Sequence, residues 1–278
     1  MNLLILYFSG TGNTDYTARY LADGLAGQPV QIRLQAIEQQ PPSTIEDFDL
    51  LMTGFPVYAC DAPRFYQAYL DNLPPGRGRG AFVFCTKGAY AGGAVRRSLQ
   101  RLASQGYVPL HGGSVLMPGT DGLSTISEDS WLARKAFEKD YDHLEDADRL
   151  IDRFAAILID LAGGRRPEDL RLSLPTRSRR GLTDRIWAWL YQLTEDYARA
   201  RLHADSHCQG CGLCARTCPV GAIEIVDHRP TFGDSCALCI RCLHNCPQRA
   251  IQIGRLTVGK VRWHGPRGDF TPLRLREG

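Results

Sequence analysis

The amino-acid sequence predicts an α/β fold, a doubly wound parallel sheet, followed by a small α+β domain rich in cysteine. Two observations support this prediction. Over residues 1–163, short apolar runs alternate with segments of helical periodicity, which is typical of right-handed βαβ units. Eight of the ten cysteines fall between 208 and 246, where they form an internal repeat. The other two, Cys60 and Cys85, are expected to be small buried side chains.

Four short apolar runs, each ending near glycine or proline, and one alternating segment at 30–34 predict the strands. They cover residues 3–8, 30–34, 49–54, 81–86 and 114–117. Helical patterns separate most of them and cover about 14–25, 63–72, 93–105 and a single long helix over 128–161. The alternation predicts one domain over residues 1–163.

Composition excludes several classes of protein. With 44% hydrophobic and 23% charged residues, the 278-residue chain is neither disordered nor fibrous. A disulfide-stapled scaffold would be shorter and rich in cysteine throughout. There is no secretory signal and no run of 18 apolar residues, so we expect a reduced, cytoplasmic protein without a membrane span.

Residues 164–203 are predicted to form a basic linker with an amphipathic helix. Residues 164–185 contain seven arginines and three acidic residues. The helix, predicted over 183–202, carries one apolar face. That face consists of Ile186, Trp189, Leu190, Leu193 and Tyr197. We expect Trp189, Leu190 and Leu193 to be buried where the two domains pack, and contact with a membrane surface is the alternative.

Residues 254–278 are predicted to form a basic tail, with six lysines and arginines against two acids. No nucleic-acid recognition module accompanies the tail, so we expect no nucleic-acid partner.

The cysteine repeat covers residues 204–253 and has a period of 28 residues. Each half reads C-x2-C-x2-C-x3-C-P, ending in Pro219 or Pro247. In this motif, three close thiolates bind one iron–sulfur cluster and the fourth binds the other cluster. One predicted [4Fe–4S] site is therefore Cys208, Cys211, Cys214 and Cys246. The second predicted site is Cys236, Cys239, Cys242 and Cys218.

A pair of zinc sites is the alternative, but zinc ribbons separate their C-x2-C pairs by a longer gap. The repeat resembles bacterial ferredoxins with two [4Fe–4S] clusters, over about 50 residues. The halves differ in one respect, because Gly210 and Gly212 have no glycine counterparts in the second half. Isoleucines near each motif are expected to cover the clusters: Ile223, Ile225, Ile251 and Ile253. His207 and His244 are expected to lie outside the ligand sets.

A second motif follows the first strand and opens a helix. It consists of Ser9, Gly10, Thr11, Gly12, Asn13 and Thr14. Hydroxyls, glycines and backbone N–H groups at a helix N-terminus are suited to a phosphate. Asp15 occupies the place of the third glycine of a dinucleotide fingerprint, and the Gly-Lys pair of a Walker loop is missing. The flavodoxin pattern T/S-x-T-G-x-T matches completely.

Two later loops are expected to line the same crevice, because ligands of doubly wound sheets bind beyond the strand C-termini. The first loop contributes Pro56, Val57, Tyr58 and Ala59. The second contributes Thr86, Lys87, Gly88, Tyr90, Gly92 and Gly93. Tyr58 or Tyr90 is expected to flank a flavin ring, with a surface aromatic as the alternative for each.

Residues 1–163 resemble the flavodoxin-like domain, and the whole chain resembles the flavodoxin–ferredoxin fusion proteins of anaerobes. This resemblance implies a five-stranded sheet of order 2-1-3-4-5, bound FMN and two [4Fe–4S] clusters. It implies electron transfer between one- and two-electron carriers, with separate redox proteins as partners. The alternative is a flavin-dependent oxidoreductase that acts on a small molecule, with the ferredoxin domain as electron inlet or outlet.

Overall fold

The structure is a computed structural model that describes residues 1–45, 47–172, 174 and 181–272. Parts of the predicted linker (173 and 175–180) and tail (273–278) lie outside the described residues. The chain forms two compact units. The first unit comprises Met1–Ser9, Thr14–Met117 and Asp142–Trp187. The second comprises Gly10–Asn13, Pro118–Tyr141 and the chain from Ala188 onward.

The first unit is built on a parallel sheet of five strands in the order β2-β1-β3-β4-β5. The strands are β1 (Asn2–Tyr7), β2 (Gln31–Ala36), β3 (Leu50–Pro56), β4 (Gly80–Lys87) and β5 (Val108–Leu116). β1, β3 and β4 are almost wholly buried, as expected of central strands covered on both faces. The predicted fold class and strand order are confirmed.

Helices accompany the strands of this sheet at the predicted places. They are α1 (Asn13–Gly24), α2 (Arg64–Asp71), α3 (Ala94–Ser104) and α6 (Glu145–Ala162). Phe154 of α6 packs on Phe82 of β4, with ring centroids 4.7 Å apart. Short 3-10 turns at Ile37–Gln39, Pro42–Thr44 and Pro167–Leu170 complete the connections.

The single helix predicted over 128–161 is wrong. The chain instead forms α4 (Thr120–Leu123), α5 (Trp131–Phe137) and then α6. After α5, the hydroxyl of buried Tyr141 donates a 2.7 Å hydrogen bond to the carbonyl of Ala136, which satisfies an end of that helix. Three acids in the first turn of α6 favour a new helix N-terminus there.

The cysteine-rich part of the second unit has the predicted small α+β character. Strands β6 (Leu202–Ala204) and β9 (Ile251–Ile253) pair antiparallel, as do β7 (Ile223–Val226) and β8 (Arg229–Phe232). The helices of this part are α8 (Leu213–Arg216) and α9 (Arg241–Asn245), and α7 (Gly181–Arg199) begins in the first unit and ends in the second. A small apolar core consists of Ile240, Leu243, Ile251 and Ile253.

The segment predicted as a basic tail contributes to the core of the second unit. Val261 and Trp263 are fully buried, and the amide of Val261 donates to the carbonyl of Ile126. The indole of Trp263 packs against the rings of Phe137 and Tyr141. Aromatic packing therefore places this segment inside the unit despite its basic composition.

The expected burial of the apolar face of α7 is wrong. Trp189 is 60% exposed and Leu193 is 51% exposed, and Leu190 is also exposed. The protein contacts another side of the helix, where Asp184 is buried and Ala198 packs against the cysteine-rich core. No helix in the described part of the chain is both long and apolar enough to cross a membrane.

Candidate functional site

The first predicted ligand set comes together around one cavity. Cys208, Cys211, Cys214 and Cys246 all line it, although the fourth lies in the other half of the repeat. Burial is the main cause that raises the pKa of the Cys214 thiol, to about 11. Cys246, Cys211 and Cys208 are close enough to raise that pKa further.

The second predicted set shows the same crossing. Burial raises the pKa of the Cys239 thiol to about 12, and Cys218 and Cys236 add to the rise. Cys242 has its pKa raised well above the ordinary value, again by burial first and then by neighbouring cysteines of both halves. Since a ligand thiol must lose its proton, a bound cationic group would have to stabilise the thiolates against these raised pKa values.

Backbone conformation repeats with the cysteines. Gly210 and Gly212 have positive φ angles of 68° and 71°, and their counterparts Leu238 and Ile240 have φ angles of 47° and 50°. The second half therefore adopts the left-handed turns of the first without glycine. A β-branched residue such as Ile240 is strained in this region. Burial of Ile240 in the small apolar core offsets part of that cost.

Backbone amides also repeat their contacts with sulfur. The amide of Ala222 donates to Sγ of Cys218 at 3.2 Å, and the amide of Ala250 donates to Sγ of Cys246 at 3.3 Å. Such bonds stabilise the anionic form of a thiol and tune an iron–sulfur cluster. The two bonds occur at Cys218 and Cys246, and each of these is the one cysteine that its half supplies to the predicted set of the other half.

Among the described residues, no group of three or more His, Cys, Asp or Glu side chains is placed to hold a single metal ion. A cubane has a different requirement, because its four thiolates bind four separate iron atoms. The crossed cysteine sets and the amide–sulfur bonds fit such a group. The ligand assignment itself stays a prediction.

Three of the four predicted covering isoleucines are buried. Ile223, Ile251 and Ile253 are each less than 9% exposed, and Ile225, although 38% exposed, lines the cavity of the first cysteine set together with Ile251. The two histidines beside the motifs differ. His207 is exposed and bonded to Asp205, while His244 is buried and its Nδ1 accepts a hydrogen bond from the amide of Trp263. Burial lowers the pKa of His244 to about 3, so it is neutral.

Arg241 lies between two cysteines of the second motif and is almost fully buried. Its Nε donates to the carbonyl of Gly10 at 3.2 Å, and its terminal nitrogen donates to the carbonyl of Thr217 at 2.9 Å. Thr217 directly precedes Cys218. The guanidinium thus links both cysteine motifs to the N-terminal loop residues of the same unit, and its charge lowers the pKa of Cys239.

The side chains of the N-terminal loop are buried and hydrogen-bonded. Ser9, Thr11, Asn13 and Thr14 are each less than 9% exposed. In the first unit, the hydroxyls of Thr14 and Thr86 lie 2.8 Å apart, so the start of α1 contacts the end of β4. In the second unit, Thr11 bonds to Thr120 and the Asn13 amide donates to the carbonyl of Pro118. Hydroxyl and N–H groups at the start of a helix are the chemistry that suits a phosphate monoester, and here the side chains of Thr11, Asn13 and Thr14 hydrogen-bond to other protein groups.

Two features of the second unit hold this loop. Nε1 of Trp263 donates to Oδ1 of Asn13 at 2.9 Å. Gly12 has a φ of 101°, and a Cβ there would lie 2.8 Å from Cα of Gly265 and from the Phe270 side chain. Only glycine therefore fits at position 12, on both conformational and steric grounds.

The loops after β3 and β4 contact each other in the first unit. Tyr58 and Asp61 pair through two backbone hydrogen bonds around Ala59 and Cys60, both with positive φ, as in a type I′ turn. A Cβ on Gly92 would lie 2.5 Å from Cβ of Cys60. Pro56, Val57 and Lys87 complete these loops as partly buried residues, with Gly93 buried and Gly88 exposed.

Arg97 secures the same pair of loops. Its Nε donates to the carboxylate of Asp61 at 2.6 Å, and a terminal nitrogen donates to the carbonyl of Cys60. Tyr90 is 41% exposed, and its hydroxyl donates to Asp184 at 2.9 Å. Tyr58 is half-buried. Neither tyrosine side chain is fully buried, so both remain candidates for contact with a planar ring.

The two outlying cysteines differ in burial. Cys85 is buried on β4, as expected, and burial raises the pKa of its thiol to about 12. Cys60 is half-buried in the turn, where burial and the Asp184 carboxylate raise its pKa.

Sequence reasoning missed Arg241, Trp263 and the loop after β5 as partners of residues 10–13. One signal was present for Arg241, because the 28-residue repeat places Leu213 at the equivalent position. An arginine in place of a leucine between predicted ligands distinguishes the second half of the repeat from the first. No comparable signal pointed to Trp263.

Comparisons with known proteins found one family match and several similar structures. Residues 205–224 match the family described as "4Fe-4S binding domain". No curated protein matches the chain. A flavodoxin from the domain Archaea is similar at 14% identity and a TM-score of 0.41, covering 57% of this chain and 99% of that one.

Two further flavodoxin structures are similar. One is from Megasphaera elsdenii, with 16% identity, a TM-score of 0.42, and coverage of 55% and 98%. The other is flavodoxin 2 from Bacillus cereus, with 19% identity, a TM-score of 0.44, and coverage of 56% and 99%.

The chain thus joins a flavodoxin-like α/β fold to a 4Fe–4S binding domain. The order of the sheet supports the first part, and the family match over Cys208–Cys218 supports the second. Clusters of the 4Fe–4S type transfer electrons, and a sheet of this order binds ligands beyond the carboxyl ends of its strands.

Proposed function

We propose that this protein binds one FMN and two [4Fe–4S] clusters and transfers electrons between them within one chain. One observation carries the proposal: residues 10–13 of the phosphate-binding loop and both cysteine motifs belong to the same compact unit, where Arg241 bonds to Gly10. When bound, FMN exchanges one or two electrons and each cluster exchanges one, so the chain couples one- and two-electron carriers.

At the flavin end, neutral donors hold the phosphate. The hydroxyls of Ser9, Thr11 and Thr14, the amide of Asn13 and the backbone N–H groups of the loop supply them. The turn at Ala59 and Cys60 and the loop around Gly92 are held rigid by Arg97, which suits them to orient a planar ring. A preorganised site of this kind loses less conformational entropy on binding.

At the cluster end, each half of the repeat supplies three ligands to its own cluster and one to the other. Each cluster site therefore needs cysteines from both halves of the repeat. Neither site can form unless the two halves are folded together. The amides of Ala222 and Ala250 stabilise the two crossed sulfurs. The core around Leu243 and Ile251 limits access of water.

Anaerobic purification followed by flavin extraction and iron and sulfide analysis tests the composition. We expect about one FMN and eight irons per chain. FAD in place of FMN, or zinc in place of iron, would contradict the proposal.

Electron redistribution after rapid partial reduction tests the transfer step, with the flavin and cluster absorbances followed separately. We expect the redistribution rate to be independent of protein concentration, because the transfer is intramolecular. The matched control is Cys239→Ser/Cys242→Ser, which should retain FMN and lose the redistribution. A rate that rises in proportion to protein concentration would show that the cofactors exchange electrons only between molecules.

A further inference from the structure

Helix α7 carries an exposed row of large apolar side chains, here called the apolar stripe. It consists of Ile186, Trp189, Leu190, Leu193 and Tyr197, which are between 41% and 60% exposed. Their spacing of three and four residues places them on one face of the helix. Five adjacent large side chains of this kind are more than the scattered apolar residues that any surface carries.

The protein contacts the other side of α7. Asp184 is buried and accepts a hydrogen bond from Tyr90, and Ala198 packs against the cysteine-rich core. Burial also raises the pKa of Tyr191, which lies on that side. An ordinary surface helix turns its apolar face inward, so the orientation of α7 is reversed.

Positive charge accompanies the apolar stripe. Residues 164–203 contain nine arginines and five acids, a net charge of +4, whereas the whole chain carries +3. Exposed Arg201 follows the helix. The Arg201 guanidinium lies 3.7 Å from the ring centroid of Tyr197, at the C-terminal end of the stripe.

We propose that α7 lies in the surface of an anionic lipid membrane, with the apolar stripe inserted at the level of the headgroups. Tryptophan and tyrosine favour this level, because one end of each ring is apolar and the other is polar. Arg201 at the C-terminal end of the stripe meets the lipid phosphates, and the positive net charge of residues 164–203 attracts an anionic surface. The binding site is a single convex helix face, which suits a planar surface.

Vesicle flotation of the anaerobically purified full chain tests the proposal. We expect the protein to float with vesicles of phosphatidylcholine and phosphatidylglycerol, and much less with phosphatidylcholine alone. Added salt should weaken the association, because it screens the charge attraction. Trp189→Gln/Leu193→Gln should lower vesicle affinity by about tenfold or more, since two apolar side chains no longer leave water.

Trp131→Gln is the matched control, because Trp131 is 68% exposed but lies outside the apolar stripe. This variant should float like the native protein. Iron content and circular dichroism should be unchanged in all variants, since the exchanged side chains are exposed. Arg201→Gln should reduce flotation with the anionic vesicles only.

Failure of the native protein to float with anionic vesicles would overturn the proposal. So would flotation that the double variant leaves unchanged. Light scattering distinguishes a third outcome: a native dimer that the double variant converts to a monomer, without vesicle binding, would identify the stripe as a subunit interface. None of these outcomes depends on the proposed electron transfer.

Discussion

Nε of Arg241 donates a hydrogen bond to the carbonyl oxygen of Gly10 across 3.2 Å, although 231 positions separate the two residues in sequence. Gly10 belongs to the predicted phosphate-binding loop, and Arg241 lies between Cys239 and Cys242. This bond distinguishes the two halves of the cysteine repeat, because the first half has Leu213 at the equivalent position. It identifies the second motif as the one in contact with the loop.

Arg241→Leu reproduces the residue of the first half and removes a buried cation. A positive charge stabilises the reduced form of a nearby cluster, because reduction adds negative charge. We therefore expect a lower midpoint potential for the cluster bound by Cys236, Cys239 and Cys242, and little change in the other. A redox titration followed by EPR measures both.

Arg216→Leu is the matched control, since Arg216 bonds to the Cys211 carbonyl from an exposed position. It should leave the potential of the second cluster unchanged. Arg241→Lys retains the positive charge. The midpoint potential of its second cluster should therefore lie between those of the native protein and Arg241→Leu. Equal shifts at both clusters in Arg241→Leu would contradict the local electrostatic effect.

Cys218→Ser should damage the cluster bound by Cys236, Cys239 and Cys242, although Cys218 belongs to the first motif by sequence. Cys246→Ser should damage the other cluster. The reason is that each fourth cysteine lies with the three thiols of the opposite half. EPR of the reduced variants, compared with Cys60→Ser, measures which signal is lost. Signals lost from each variant's own motif would show that the ligands are not crossed.

Gly210→Ala should destabilise the cysteine-rich part by about 1–3 kcal/mol. The new Cβ would lie 2.6 Å from the carbonyl oxygen of His228, at a φ of 68°. Urea-induced bleaching of the cluster absorbance measures the change. Gly122→Ala is the control in the same unit, because nothing lies within 4 Å of its Cβ and its φ is not positive. Similar midpoints for the two variants would disprove the steric argument.

Trp263→Phe should weaken FMN binding about fivefold to tenfold and leave the iron content unchanged. Phenylalanine retains the packing on Phe137 and Tyr141 but removes the N–H donor to Asn13, and a buried hydrogen bond contributes about 1 kcal/mol. Flavin fluorescence on titration of the apoprotein measures the affinity. Phe137→Leu changes the packing on the same indole without removing the donor, so it should have the smaller effect. The reverse order would assign the loss to packing.

The two cysteine motifs and the alternation of strands and helices could be recognised from the sequence because both signals are local. Ligand spacing is a property of eleven consecutive residues, and a buried parallel strand is a short apolar run wherever it occurs. The flavodoxin-like strand order followed from the resemblance of the N-terminal loop, and the structure confirms it. Where the local pattern was ambiguous, as over 128–161, one helix was predicted in place of two.

The amino-acid sequence by itself determined which segments contribute to the parallel sheet, which cysteines form a repeat and which helix is amphipathic. The tertiary structure alone decided that Trp263 and Arg241 bond to residues 10–13, and that the apolar stripe of α7 faces outward. Contacts between residues more than 200 positions apart leave no periodicity along the chain. Amphipathicity reports that a helix has an apolar side, but the neighbours against which it packs decide whether that side is buried.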